Sequence, residues 1–257
     1  MQAPLQFENV VIAVSSIGAR VGGLLVFTPF LGSNAIAPRV KAGLLVMLTA
    51  LLYPVCGPRE ISLTAAGAAR VILSEALVGL LIGLSVQFVF EAAQFAGQTL
   101  GMQVGFGLVN IIDPTTQVDT PVLAVFSQTI AMLIFLEVGV HRWLLRALAS
   151  SFSYLPVGAA SATGEMSRQL LQAAGGIWLA GVQIAAPALL ATILADFVLG
   201  FLGKASPQLP VLFLGLSAKS MLGLFILALS LRYWPGIFER YFSDAIRTGE
   251  RLLHLAH

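Results

Sequence analysis

The chain has 257 residues, of which 58% are hydrophobic and only 10% are charged, and its mean hydropathy is +0.91. Soluble domains carry about 25% charged residues, so this composition excludes an ordinary soluble domain and predicts a protein of the bilayer or of a membrane assembly. The net charge of +2 is too small to indicate a partner that is a nucleic acid.

Long apolar windows predict an all-α membrane protein with about six hydrophobic helices. In chain order the windows lie near residues 9–31, 40–57, 62–94, 121–140, 169–199 and 208–231. Most of them are close to the roughly 20 residues that cross a bilayer. The first window has no basic region before it and no small-residue cleavage site, so we expect an uncleaved helix there.

The C-terminal tail has a different pattern. From Trp234 to His257, the apolar side chains fall on one face of a helix: Phe238, Tyr241, Phe242, Ala245 and Ile246. This pattern predicts a C-terminal amphipathic helix, which we expect to lie at the membrane interface.

Ionisable residues interrupt the apolar windows. Three of them lie near window ends, where we expect their side chains to snorkel toward the interface: Glu91, Glu137 and Asp196. Three others lie deep in their windows: Arg20, Glu75 and Lys219. Each charge costs about 2.5 to 3.5 kcal/mol at a helix centre, so we predict that these three make buried polar contacts. They indicate either a transporter with relay charges or one subunit of a larger helical assembly.

The sequence has no catalytic motif. It contains neither HExxH nor GxSxG, and GFGLVN at residues 105–110 departs from GxGxxG at its last position. None of the three histidines pairs with another histidine or a cysteine at metal-ligand spacing. We therefore predict a protein that is not an enzyme, with no cofactor and no metal site.

Residues 97–114, GQTLGMQVGFGLVNIIDP, carry the most informative pattern in the chain. Gly97, Gly101 and Gly105 form a small-xxx-small row, which predicts a surface where another helix packs closely. Gln98 and Gln103 lie within this row, and buried amides need hydrogen-bond partners, so we predict polar contacts for both.

A shorter row lies earlier in the same segment. Gly79 and Gly83 are also four residues apart. For this pair the general abundance of glycine in membrane helices is an alternative explanation to close packing.

The second half of the 97–114 stretch predicts a loop. We expect the chain to leave the helix after Gly107, and Asp113-Pro114 to enforce a turn. Irregular backbone at membrane depth is tolerated only where protein buries it or where it lines a cavity. An apolar loop in such a place is typical of a plug, and the predicted plug residues are Phe106, Leu108, Val109, Ile111, Ile112, Asp113 and Pro114.

Several blocks of the sequence resemble one family. The run GQTLGMQVGFGLVNIIDPTTQVDTPVLAVF (97–126) resembles the GQ-x-x-G-x-Q-x-G…DP…S/T-P-V-L signature of the FliR family, membrane components of the flagellar type III protein-export gate. GVHRWLLRALASSFSYLPVG (139–158), LGFLGKASPQLPVLFLGLSAKSMLGLFILALSL (199–231) and the early pattern of Arg20, Pro29, Pro38 and Lys41 agree with further family segments. One departure is Asp119-Thr120 before Pro121, which bears on loop detail.

The resemblance implies a fold and partners that spacing alone does not. Proteins of this family join several copies of FliP and of FliQ, one FliR to each gate, with FlhB and FlhA nearby. Residues 1–158 would be a four-helix part similar to FliP, and residues 159–257 a two-helix hairpin similar to FliQ with the amphipathic tail. The helices would form bent hairpins, and the loop at about 105–121 would contribute a plug to the conduit for unfolded flagellar proteins.

The resemblance also implies a location and leaves alternatives. It places the protein in the bacterial inner membrane, in the flagellar basal body. The paralogous subunit of a virulence-type injectisome is the nearest alternative. An ion-coupled small-molecule transporter, with Arg20, Glu75 and Lys219 as relay charges, and a structural membrane subunit with no conduit are the others.

Overall fold

The computed structural model describes residues 3–32, 36–56, 65–106, 121–161, 163–206 and 211–255. Over these ranges every regular element of secondary structure is a helix. In chain order the helices are α1 Ala3–Phe27, α2 Pro29–Gly32, α3 Pro38–Cys56, α4 Ala65–Val104, α5 Val122–Val138, α6 Val140–Tyr154, α7 Gly164–Ala205, α8 Val211–Ser230 and α9 Trp234–His254, with a 3-10 turn at Leu231–Tyr233 between the last two.

The predicted all-α membrane class is confirmed. Four helical stretches within the described ranges are long and apolar enough to cross a membrane: Val10–Phe27, Gly67–Val104, Gly164–Ala205 and Gly215–His254. The pair α5 and α6 is a fifth candidate if the two helices count as one bent span. The bend between them falls at Gly139, whose φ of 76° is left-handed and favours glycine.

Two helices are much longer than their sequence windows. α4 has 40 residues and α7 has 42, which at 1.5 Å per residue makes each about 60 Å long. The hydrocarbon core of a bilayer is about 30 Å thick. Both helices therefore extend well beyond the length that a single crossing requires.

The chain forms two compact units. The first comprises Met1–Phe88, Gly139–Ala174 and Phe242–His257, and the second comprises Val89–Val138 and Gly175–Tyr241. The predicted division at residue 158 concerns likeness to other subunits and not compactness, and it stays a prediction.

The core of the first unit contains a close crossing of α1 and α4. A Cβ added at Gly79 would collide with the Arg20 carbonyl oxygen and lie 2.9 Å from the Leu24 nitrogen. A Cβ at Gly83 would lie 2.9 Å from the Leu24 carbonyl oxygen. Helix backbones approach this closely only where small residues meet, so Gly79 and Gly83 have a packing reason beyond the general abundance of glycine.

The core of the second unit is built on the later half of α4. Phe90 packs edge-to-face on Phe135 of α5, with ring centroids 5.6 Å apart, and Phe95 packs in the same way on Trp178 of α7, at 4.6 Å. Such aromatic pairs contribute about 0.5 to 1.5 kcal/mol beyond the area that they bury. Gly181 of α7 lies against Ala92 and Phe95, which brings α7 close to α4.

The predicted C-terminal amphipathic helix is present as α9, and part of its apolar face is buried within the protein; its position at the membrane interface stays a prediction. The side chains of Phe238 and Phe242 are completely buried within the protein, and so is that of Leu252. Thr163, at the start of α7, donates a hydrogen bond to the Leu255 carbonyl oxygen (2.9 Å), and Tyr154 stacks on His254. This part of the apolar face of α9 is therefore covered by protein.

Candidate functional site

A buried arginine clamp lies in the first unit, at the crossing of α1 and α4. We use this name for Arg20, Glu75, Ser151, Phe152 and the backbone at Leu155 and Gly158. Arg20 and Glu75 have completely buried side chains, and the Arg20 Nε lies 2.5 Å from a Glu75 carboxylate oxygen. The pair forms because the contact at Gly79, one helical turn from Glu75, holds the two backbones together.

Every polar group of the clamp has a partner. The guanidinium Nη1 donates to the Ser151 Oγ (2.9 Å), and Nη2 donates to the Leu155 carbonyl oxygen (3.0 Å). The second Glu75 oxygen accepts from the Gly158 N–H at 2.9 Å. Buried ion pairs are tolerated only when such additional hydrogen bonds satisfy both groups.

The clamp also includes an aromatic contact. The guanidinium carbon of Arg20 lies 4.0 Å from the centroid of the Phe152 ring, a cation–π geometry that stabilises a desolvated cation by up to about 2 kcal/mol. Arg20 thus joins α1 to α4, α6 and the turn after α6. Both side chains of the ion pair are completely buried, and the relay role that the sequence offers for Arg20 and Glu75 stays a prediction.

A polar triad, consisting of Gln103, Asp196 and Lys219, lies in the second unit. The Lys219 Nζ lies 2.7 Å from an Asp196 carboxylate oxygen, and the same oxygen accepts from the Gln103 Nε2 at 3.0 Å. The triad joins α4, α7 and α8. Asp196 is the residue that sequence reasoning missed, because we expected it to snorkel at a helix end.

The triad lies in a surface that is otherwise apolar. The Asp196 side chain is 47% exposed, while Lys219 is 15% exposed. Ile193, one turn before Asp196 on α7, and Phe197, the next residue, are exposed large hydrophobic residues. A half-exposed carboxylate among such residues is costly against lipid tails. This arrangement favours protein or water over lipid at the triad.

The remaining glutamine of the row does not join the triad. Gln98 is exposed on α4, so its predicted polar contact is not formed within the described part of the chain. That contact stays a prediction for a partner surface.

The three glycines of the predicted packing row have different surroundings. A Cβ at Gly97 would collide with the Leu123 carbonyl oxygen and lie 2.7 Å from the Ala124 Cα of α5. At Gly101 the nearest atom is the Pro121 Cβ at 3.7 Å, which leaves room for a methyl group. Gly105 follows the last residue of the helix and has a φ of 96°. A Cβ at this position would lie 2.5 Å from the Leu216 Cδ1 of α8.

Gly105 ends α4 with a defined cap. The Phe106 N–H donates to the Gly101 carbonyl oxygen (2.9 Å), and the Gly105 N–H donates to the Met102 carbonyl oxygen (3.2 Å). These two bonds and the left-handed glycine are a Schellman motif. The Val104 carbonyl oxygen, which has no partner within the helix, accepts from the Ser220 Oγ at 2.6 Å. The helix therefore ends at Val104, three residues earlier than the sequence predicted.

The predicted plug begins at this cap. Phe106 is 43% exposed, and the other predicted plug residues lie outside the described residues: Leu108, Val109, Ile111, Ile112, Asp113 and Pro114. The chain returns at Pro121, whose carbonyl oxygen accepts from the Ala124 N–H (2.8 Å) at the start of α5. Because Pro121 lies beside Gly101, the segment between them starts and ends at one place on the second unit.

The described residues offer no metal site, since no three His, Cys, Asp or Glu side chains among them could share an ion. The clamp and the triad instead hold helices together. Together with four or five apolar spans among the described residues, they define a helical membrane protein.

Comparison with known proteins identifies the family. The profile described as bacterial export proteins, family 1, matches residues 11–245. The chain is 30% identical to the flagellar biosynthetic protein FliR of Pectobacterium carotovorum subsp. carotovorum over 225 residues, which cover 88% of this chain and 86% of the relative. It is 31% identical to the FliR protein of Bacillus subtilis (strain 168) over 184 residues, covering 70% of this chain and 71% of the relative.

These matches define a membrane protein of the bacterial export class. The FliR protein of Escherichia coli (strain K12), 28% identical over 225 residues, spans the same share of the chain. The chain belongs to the FliR family of flagellar biosynthetic proteins.

Proposed function

We propose that the chain is a non-enzymatic core subunit of the flagellar type III export gate, in the inner membrane at the flagellar basal body. In this proposal it assembles with FliP and FliQ into the conduit for unfolded flagellar proteins, with FlhB and FlhA nearby. The observation that carries the proposal is the match to the export family over residues 11–245, supported by FliR relatives that the chain covers to about the same extent.

The exposed surface of α7 supports an assembly. Its large apolar side chains are exposed from Leu171 to Leu202, a stretch of about 45 Å along the helix. That length exceeds the hydrocarbon core of about 30 Å. Some of this apolar face therefore lies outside lipid, where other protein would have to cover it.

The polar triad supports the same proposal. Asp196 is half exposed within this apolar face. Lys219 and Gln103 both donate to its Oδ2, and no hydrogen bond to its Oδ1 is formed by the described residues. A neighbouring helix that carries a hydrogen-bond donor would remove the cost of this group facing lipid.

We further propose that the segment after Gly105 plugs the idle conduit. A channel for unfolded chains must retain ions when idle, and a ring of apolar side chains does so by dewetting. The described residues on either side of the segment are held by hydrogen bonds, at the Schellman cap that ends α4 and at the Pro121 carbonyl oxygen that begins α5.

Co-expression tests the assembly. The tagged chain, produced with FliP and FliQ of its own bacterium, should be recovered in mild detergent as one complex that contains a single copy of the chain and several copies of each partner, measured by native mass spectrometry. Complementation of fliR deletion strains for swimming separates a flagellar from an injectisome role. A stable lone monomer that transports a small solute would contradict the gate.

Deletion tests the plug. Removal of residues 106–112 should leave the complex intact and raise its resting ion conductance in planar bilayers. Replacing the same seven residues by a Gly/Ser linker of equal length is the matched control for loop length, and it should also leak. A complex that forms and stays tight to ions after both changes would assign the seal to another subunit.

A further inference from the structure

An apolar groove runs between α1 and α3 in the first unit. Its volume is about 420 Å³. Val14 and Gly18 line it from α1, and the residues that line it from α3 are Leu45, Val46, Thr49, Ala50 and Tyr53. The absence of a side chain at Gly18 makes the space, because a Cβ there would already touch the Thr49 Oγ1 at 3.6 Å. The Thr49 hydroxyl donates to the Leu45 carbonyl oxygen (2.7 Å) and so leaves the groove apolar.

The dimensions of the groove indicate what can fill it. From Leu45 to Tyr53 it follows α3 for about 12 Å. Seven residues line it, over about two and a half turns of α3 and one turn of α1. This short apolar lining along two helices suits a stretch of one hydrocarbon chain.

A free cation lies in line with the groove. Arg39, Val46 and Tyr53 are spaced by seven residues on α3, so their side chains leave the helix on nearly the same side. Arg39 is exposed, and no carboxylate of the described residues lies within ion-pair distance of it. Its Cα is about 10 Å from that of Val46 along the axis, and helical side chains tilt toward the N-terminus, so the guanidinium lies beyond the end of the groove.

We propose that this groove binds one acyl chain of an anionic phospholipid, with the lipid phosphate on Arg39. An apolar groove with an exposed arginine on the same side of α3, about 10 Å beyond Val46 and without a carboxylate partner among the described residues, is complementary to an amphiphile with a negative head group. Arginine is well suited to phosphate because its planar fork donates two parallel hydrogen bonds. Lys41 is half-buried and its Nζ donates to the Gly32 carbonyl oxygen at 3.1 Å, so Arg39 is the more exposed cation of α3.

Lipid titration followed by native mass spectrometry tests the proposal on the purified complex, or on the chain alone in detergent if no complex forms. The wild-type protein should bind phosphatidylglycerol more tightly than phosphatidylcholine. Arg39→Gln should weaken phosphatidylglycerol binding about fivefold, the effect of one surface arginine, and should weaken phosphatidylcholine binding less, because the choline cation of that lipid offsets the charge of its phosphate. Arg70→Gln, which removes an exposed arginine from α4, is the matched charge control and should change neither.

Variants that fill the groove provide a second test of the proposal. Gly18→Leu should reduce the binding of both lipids at least tenfold, and Val46→Trp, which fills the groove from an exposed wall, should do the same if Gly18→Leu fails to fold. Gly200→Leu adds the same bulk where no atom lies within 4 Å and should have no effect.

Two results would overturn the proposal. One is equal affinity of the wild-type protein for the two lipids. The other is unchanged lipid binding in Gly18→Leu or Val46→Trp while the recovery of the complex falls, which would assign the groove to a partner subunit. Both are independent of whether the complex exports protein.

Discussion

Replacing one member of the buried ion pair of Arg20 and Glu75 should lower the stability of the fold more than replacing both. Arg20→Met leaves the Glu75 carboxylate buried with a single donor, the Gly158 N–H. Glu75→Leu leaves the guanidinium with Ser151 and the Leu155 carbonyl oxygen but with no anion. Each single change leaves an uncompensated buried charge, which costs about 3 to 5 kcal/mol.

The double variant has a smaller expected cost. Arg20→Met with Glu75→Leu removes both charges, and replacing a buried pair by apolar groups of similar size is often neutral. The Leu155 carbonyl oxygen then loses its donor and the Gly158 N–H loses its acceptor, and each unsatisfied buried group costs about 1 to 3 kcal/mol. Each single variant already has one of these two losses together with an unpaired buried charge. We therefore expect the double variant to be more stable than either single variant.

Urea unfolding in a mild detergent measures these differences. The slope of the transition should stay constant while its midpoint shifts. Arg168→Gln is the control, because Arg168 pairs with Glu165 at 3.8 Å in an exposed position, where an ion pair contributes about 1 kcal/mol or less. Single variants that unfold like the wild type, or a double variant whose loss equals the sum of the two, would refute this account of the clamp.

Three further outcomes are expected. Gly79→Ala places a methyl group on the Arg20 carbonyl and should lower the free energy of unfolding by about 1 to 3 kcal/mol through overpacking. Gly101→Ala, where the nearest atom lies at 3.7 Å, should not lower it. Lys219→Leu removes the cation bound to Asp196 and should reduce recovery of the complex on native gels, while Lys219→Arg should largely restore it. Gly175→Ala meets no atom within 4 Å and should raise the free energy of unfolding by about 0.5 to 1 kcal/mol. Lower recovery of the complex despite this stabilisation would indicate a partner helix packed against Gly175.

The apolar windows predicted the helices well but not their ends. The window at 62–94 corresponds to α4, which continues to Val104. Gly97 and Gly101 lie inside the helix, although glycines weaken isolated helices. The contact of Gly97 with α5 compensates for this; the glycine row predicted that a helix packs there but not which helix it is.

The polar residues were recognised singly, but their partners were not. The cost of burying Arg20 and Glu75 was evident from their depth, yet 55 residues separate them, and two of the clamp's hydrogen bonds use backbone groups that any sequence provides. Asp196 was misinterpreted because its window ended at residue 199, whereas the helix continues to Ala205. Asp196 therefore lies inside the helix, and its carboxylate pairs with Lys219.

The face of α9 illustrates a limit of a different kind. Amphipathic spacing correctly predicted which side of the helix is apolar, including Phe238 and Phe242. It could not predict what covers that side, because a lipid tail and a protein core are similarly apolar solvents. The burial of both rings within the protein required the full three-dimensional packing.

The arginine clamp has a consequence for how the chain is made. Its partners follow Arg20 by 55, 131 and 135 residues. At a synthesis rate of about 5 to 20 residues per second, Glu75 emerges some 3 to 11 s after Arg20, and Leu155 some 7 to 27 s after it. During this interval Arg20 lacks the partners that it has in the folded protein, so the clamp can be completed only after the sixth helix and the turn that follows it have been synthesised.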